Sequence, residues 1–109
     1  MAQLPEKPTL ADYQAYMEQI CEERGWAKNT SLELFLLFSE EVGELAKAIR
    51  RHHQLYVEPA KARKQPNLAE EFADVFGYLL DLANYFGIDL EKAFRDKEAI
   101  NSQRTWNNP

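Results

Sequence analysis

Leu34, Phe35, Leu37, Phe38, Val42, Leu45 and Ile49 recur at the spacing of one wide face of an α-helix. No strand-like alternation competes with that period, glycine is scarce, and the same spacing returns in three other segments. The chain therefore reads as all-α, with four helices. The first is predicted over about Leu10 to Arg24, with Thr9 as cap, Asp12 approximating a capping box and Gly25 as the stop. Tyr13, Met17, Ile20 and Cys21 share its apolar face. The second runs from about Ser31 to His53 behind a Thr30/Glu33 capping box. The third runs from Leu68 to Tyr85, with Asn67 and Glu70 as its box, Phe72, Val75, Phe76, Leu79, Leu80 and Ala83 as its stripe, and Gly87 beyond its end. The fourth runs from about Leu90 to Arg104 behind Asp89, with Leu90, Ala93, Phe94, Lys97, Ile100 and Asn101 on one face. Gln54 to Pro66, with Pro59, Pro66, Lys61, Arg63 and Lys64, reads as an exposed loop.

These elements suit a four-helix bundle protomer, one domain over residues 1–109 with a helical core of about 9–104. A domain of 109 residues builds a thin core, and the width of the second stripe implies burial on more than one side. Self-association would supply that burial.

The acidic residues carry the main chemical signal. Glu41 and Glu44 on helix two, and Glu71 and Asp74 on helix three, are each spaced i, i+3. Such residues point the same way, about 60° apart on the helix wheel and one turn displaced. Phe38 and Leu45 flank the first pair, Val75 and Tyr78 the second. If the two stripes pack together, four carboxylates converge at the edge of the core. Repulsion and desolvation oppose such a gathering unless a cation bridges it. Oxygen ligands without histidine or thiol favour Mg²⁺, with Mn²⁺ as a substitute, and a magnesium site of this kind suits a nucleoside triphosphate. A single such pair is commonly nothing more than solvated helix surface; two pairs beside two apolar stripes are a stronger pattern.

The net charge of -5 and sequence pI near 5.0 argue against a nucleic-acid or anionic-membrane partner. The longest purely apolar run is far too short for a membrane span. The one cysteine, Cys21, makes no internal disulfide, and the first twenty residues lack a signal-like apolar core, so a cytoplasmic location is expected. His52 and His53 are adjacent and face different directions, a poor arrangement for a shared metal.

"EEVGEL" at Glu40–Leu45, followed by "EEFADV" at Glu70–Val75, resembles the EExxE…ExxD signature of the MazG-like all-α nucleoside triphosphate pyrophosphohydrolases. "ERGW" at Glu23–Trp26, "DVFGYLLDLA" at Asp74–Ala83 and "KEAINSQR" at Lys97–Arg104 follow the order found in that family's small branch, which includes the dCTP pyrophosphatases. The resemblance covers about Thr9 to Arg104. It implies that Glu41, Glu44, Glu71 and Asp74 are metal ligands. It also implies hydrolysis of an NTP or dNTP between the α- and β-phosphates to NMP and pyrophosphate, in a homodimer or homotetramer with sites near subunit contacts. Glu40 reads either as a residue positioning water or as solvated surface. Lys97 and Asn101 resemble family positions that contact phosphate and substrate, with Arg104 on the same face; Lys97 also reads as a snorkelling side chain. Tyr78, one turn after Asp74, faces sugar or base or sits in the core, and Trp26 lines a base pocket or plugs the bundle end. The loop after helix two folds over substrate in some relatives, which leaves a supporting phosphate role open for the basic residues.

The sequence departs from the dCTP-specific branch at "AKNTSLE" after Trp26, where that branch has an aromatic–histidine segment, and at "IRRHHQLY", where it has a tryptophan. Both departures fall on the base-recognition side. The resemblance therefore carries the chemistry over better than the choice of nucleobase. Two other classes compete. One is a non-catalytic oligomerisation or nucleotide-binding regulatory module that keeps the fold without turnover; four intact acids speak against it, since a pure scaffold would do better with apolar residues there. A di-iron bundle needs Glu-x-x-His pairs, which neither acidic motif supplies.

Overall fold

In the computed structural model, which describes residues 1–61 and 67–106, every regular element is helical. α1 spans Leu10–Glu23, α2 Ser31–His52, α3 Leu68–Tyr85 and α4 Leu90–Asn101, with a short 3₁₀ turn at Pro59–Lys61. Each helix starts where a side chain accepts from a free N–H of its first turn. Thr9 and Thr30 form reciprocal capping boxes with Asp12 and Glu33. Asp89 accepts from Lys92 N–H at 3.1 Å. At α3 only half of the expected box is present: Asn67 accepts from Glu70 N–H at 3.2 Å, and no return bond from Glu70 is made.

Helix ends are set by left-handed residues. Gly25 (φ 73°) and Gly87 (φ 65°) close α1 and α3, a conformation that costs glycine little. After α1, Gly25 N–H donates to Glu22 O (3.3 Å) and Trp26 N–H to Cys21 O (2.8 Å), which turns the chain and fixes Trp26 against the end of α1. Gln54 (φ 55°) ends α2 in the same way, and the Arg50 guanidinium then clasps the carbonyls of Leu55 and Tyr56 at 3.0 and 2.8 Å. α4 stops at Asn101, short of the expected Arg104, because Ser102 caps it and Gln103 and Arg104 turn back on Ile100 and Asn101. Of the expected loop, Arg63, Lys64 and Pro66 lie outside the described residues.

α3 is the centre of the packing. α2 packs along one side of it, α1 along another, and α4 rests on α1. Tyr13 of α1 and Phe76 of α3 meet edge to face at 5.4 Å. The buried interior is small: Ile20, Cys21, Leu34, Ala48, Leu80 and Ala83. α4 is held chiefly by polar contacts. The buried Gln14 side chain of α1 donates to Asn84 Oδ1 (3.1 Å) and Ile88 O (2.8 Å) and accepts from Leu90 N–H (3.0 Å), while Asn84 Nδ2 donates to Gln14 O (2.8 Å). Gln14 therefore ties α1 to both the end of α3 and the start of α4.

The four-helix expectation holds, but within one chain the helices form an open array. The radius of gyration is 17.4 Å, against about 13 Å for a compact domain of similar length. Much of the α2 stripe is uncovered: Phe35 is 60 % exposed, and Val42 and Ile49 are also exposed, alongside Phe72 and Leu79 of α3 and Phe94 of α4. Among the described residues no helix is long and apolar enough to cross a membrane.

Candidate functional site

The packing of α2 against α3 brings the two acidic motifs together. One carboxylate oxygen from each of Glu41, Glu71 and Asp74 lies within 4.8 Å of the other two. Glu41 and Glu71 are half-buried and Asp74 is exposed. Glu44, one turn beyond Glu41, is exposed and stands outside that triplet, as does Glu40. The crowding is felt at Glu41. Burial raises its carboxyl above the ordinary glutamate value, and Asp74, Glu71, Glu40 and Glu44 push in the same direction. A divalent cation relieves that repulsion, and an all-oxygen donor set fits a hard cation such as Mg²⁺.

Glu41 and Asp74 also line a cavity of about 500 Å³ between α1, α2, α3 and the α1–α2 connection, a volume suited to a small ligand. Tyr78 and Trp26, both singled out in the sequence, line it too. The Arg24 guanidinium lies 4.9 Å from the centre of the Trp26 ring. Burial, and then the charges of Glu41, Asp81, Glu40 and Asp74, hold the Tyr78 hydroxyl above its usual value.

Lys97, Asn101 and Arg104 are not brought to this cavity by their own chain. None of the three lines it, and α4 packs on α1. Lys97 and Arg104 are exposed, and Arg104 belongs to the turn after α4.

Sequence reasoning overlooked Asp81, Cys21, Arg24 and Asn29, all of which line the cavity. Asp81 had a signal: it is the one acid inside "YLLDLA", seven residues after Asp74 and so on nearly the same face of α3. Burial raises the Asp81 carboxyl, and the neighbouring Cys21 thiol offsets part of that rise. Burial first, and then Asp81, push Cys21 up to about 11. Cys21 Sγ also lies 3.8 Å from Met17 Sδ, a much weaker acceptor than a carboxylate.

Residues 29–103, more than half of the chain, match the family model described as the MazG nucleotide pyrophosphohydrolase domain. The chain is 34 % identical over 96 residues to the uncharacterized protein YvdC of Bacillus subtilis, an alignment covering 81 % of this chain and 91 % of that one. It is 39 % identical over 67 residues to a dATP/dGTP diphosphohydrolase of cyanophage S-2L, covering 62 % of this chain and 50 % of the phage protein. It is 34 % identical over 103 residues to rat (Rattus norvegicus) dCTP pyrophosphatase 1, covering 90 % of this chain and 59 % of that protein. The chain thus spans little more than half the length of these last two. Among solved structures, a candidate pyrophosphatase of Bacillus subtilis, YPJD, superposes with a TM-score of 0.76 at 26 % identity, covering 93 % of this chain and all of that one.

Proposed function

The chain belongs to the MazG nucleotide pyrophosphohydrolase family, and from that premise we propose that it is a Mg²⁺-dependent hydrolase that cleaves a nucleoside triphosphate between its α- and β-phosphates, releasing NMP and pyrophosphate. The observation that carries this reading is the meeting of the Glu41, Glu71 and Asp74 carboxylates within 4.8 Å on two helices that also wall the cavity. In this reading these three, with Glu44 one turn away, hold the cation. Mg²⁺ (or Mn²⁺) when bound supplies positive charge against the polyphosphate and helps a water ionise. Glu40, beside the triplet, orients the attacking water. That water's oxygen adds to phosphorus and gives up a proton to a neighbouring carboxylate as the bond to the bridging oxygen breaks, and the departing pyrophosphate takes the electron pair. Tyr78 and Trp26 wall the nucleoside. The whole stretch 1–109 acts as one unit, and the function is control of a nucleotide pool, as the relatives that act on dATP/dGTP and dCTP suggest.

We further propose that the protein works as a homodimer or homotetramer in the cytoplasm. The uncovered apolar face of α2 and α3 supports association, since such a face is costly to leave wet. Lys97, Asn101 and Arg104, which do not reach the cavity of their own chain, would then contact the phosphates bound to a second copy.

The test is pyrophosphate and NMP release from a panel of NTPs and dNTPs, with and without Mg²⁺, for the native chain and Glu41→Gln. Mg²⁺-dependent release that disappears in the variant is expected. A folded protein that binds Mg²⁺ but releases pyrophosphate from no nucleotide would point instead to a nucleotide-binding module. Mixing inactive Glu41→Gln with inactive Lys97→Ala tests the shared site: activity is regained only if the two residues come from different copies.

A further inference from the structure

The cavity has a chemically distinct far end. Asp74 and Asp81 are seven residues apart on α3, close to two full turns, so they share a face with a rise of roughly 10 Å between them. Tyr78 lies between them along α3 and lines the same cavity. That separation is on the order of the length of a nucleoside. With the polyphosphate anchored at Glu41 and Asp74, a nucleoside laid along α3 past Tyr78 brings the edge of its base to Asp81. Trp26, from the α1–α2 connection, offers an aromatic wall on which a base of any kind can stack. Stacking does not discriminate among bases, so discrimination falls to the polar groups at this end.

Those groups are of both kinds: Arg24 donates, Asn29 can donate or accept, and Asp81 is the acceptor. Asp81 is half-buried and faces the cavity, and among the described residues no cation pairs with it. Its neighbour Cys21 has a single proton, shared between Met17 Sδ at 3.8 Å and the Asp81 carboxylate, so it satisfies Asp81 at most in part. A carboxylate with one oxygen still open is an acceptor waiting for a donor. An exocyclic amino group, as on cytosine, adenine or guanine, supplies that donor. Uracil and thymine present the O4 carbonyl where cytosine and adenine present that amino group (guanine offers its own from C2), and a carboxylate repels a carbonyl oxygen.

Resting on the reading of the chain as a nucleotide pyrophosphohydrolase, we propose that Asp81 is a specificity-determining residue that accepts a hydrogen bond from the exocyclic amino group of the substrate base, so that the enzyme selects amino-bearing nucleobases over uracil and thymine.

The experiment is kcat/KM for dCTP, dATP, dGTP, dUTP and dTTP on the native protein, Asp81→Asn and Asp81→Ala, with Mg²⁺ throughout and folding checked by circular dichroism. The native protein is expected to prefer its best amino-bearing nucleotide over dUTP by about ten-fold or more, the worth of one hydrogen bond to a charged group. In Asp81→Ala that ratio collapses toward one, mainly through KM. Asp81→Asn, which can donate to a carbonyl, shifts the preference toward dUTP and dTTP. The five nucleotides also tell which amino-bearing base fits the cavity. The proposal is overturned if folded Asp81→Ala and Asp81→Asn keep the native ratio, or if the native protein prefers dUTP or dTTP. Calorimetric titration with non-hydrolysable α,β-methylene analogues of dCTP and dUTP gives a second readout. Absence of turnover with an Asp81-dependent binding preference removes the hydrolase reading and leaves Asp81 as the reader of the base; turnover with an Asp81-independent preference does the reverse.

Discussion

Gln14→Ala isolates the polar pin between α1, α3 and α4. The substitution deletes three side-chain hydrogen bonds, to Asn84 Oδ1, Ile88 O and Leu90 N–H, at 3.1, 2.8 and 3.0 Å. A net value of about 1 kcal/mol for each sums to about 3 kcal/mol. Water entering the gap would reduce the loss to about 2 kcal/mol, and a stranded Ile88 carbonyl or Leu90 N–H would raise it to about 4 kcal/mol. Against a typical total of about 5–15 kcal/mol, that is a large share. It corresponds to a Tm lower by about 10–25 °C in a domain of this size. Gln14→Glu keeps an oxygen for Leu90 N–H but forfeits both donor bonds, so it should cost at least two-thirds as much. Urea unfolding followed by circular dichroism gives the loss, and hydrogen exchange locates it. Amides of α4 should lose protection before those of α2 and α3, because α4 has little else to hold it. A loss below about 1 kcal/mol, or uniform loss of protection in all four helices, would refute the pin.

Four further outcomes are expected. Glu41→Gln should raise the Tm of the metal-free protein at pH 7 and abolish the stabilisation given by Mg²⁺. The folded-state value of Glu41 lies above its unfolded one, so ionising it opposes folding. The metal-free native chain then loses stability as pH rises through the carboxylate range, and thermal melts at pH 4.5 and 7 should show a flatter dependence in the variant. Cys21, buried and held at about 11, should resist iodoacetamide at pH 8 and react promptly once urea unfolds the chain; equal rates would refute its burial. Gly25→Ala should cost about 1–2 kcal/mol by urea titration, since a Cβ is strained at φ 73° even though no neighbour crowds it. Thr30→Ala should cost about 1 kcal/mol by the same titration through loss of the α2 cap, with no change in Mg²⁺ affinity.

The helix starts were legible because caps are local chemistry. Thr9, Thr30, Asn67 and Asp89 each satisfy a donor three residues on, and nothing distant competes. Gly25 and Gly87 marked two ends for the same reason. The meeting of Glu41, Glu71 and Asp74 was legible because both acidic pairs border stripes that had to pack on each other. Four things were not. The half-box at Asn67 and the early end of α4 at Asn101 turn on single hydrogen bonds within flexible side chains and fraying turns. The Gln14 pin depends on residues 70 to 76 positions away, which a lone glutamine does not announce. Lys97 and Asn101 share a face of α4, with Arg104 in the turn beyond it, but periodicity does not say against what that face will lie.

The thin interior has a calorimetric consequence. A fully packed domain of 109 residues would unfold with a heat-capacity increase of about 1.3–1.6 kcal/mol/K, most of it from apolar groups meeting water. Here Phe35, Val42, Ile49, Phe72, Leu79 and Phe94 already meet water in the separate chain. Its stability curve against temperature should therefore be broader and shallower than its length predicts. If a second copy covers those side chains, the missing increment would return and the curve would steepen. The curvature of a melting profile, measured across a dilution series, would then report how much of each molecule's interior is furnished by another.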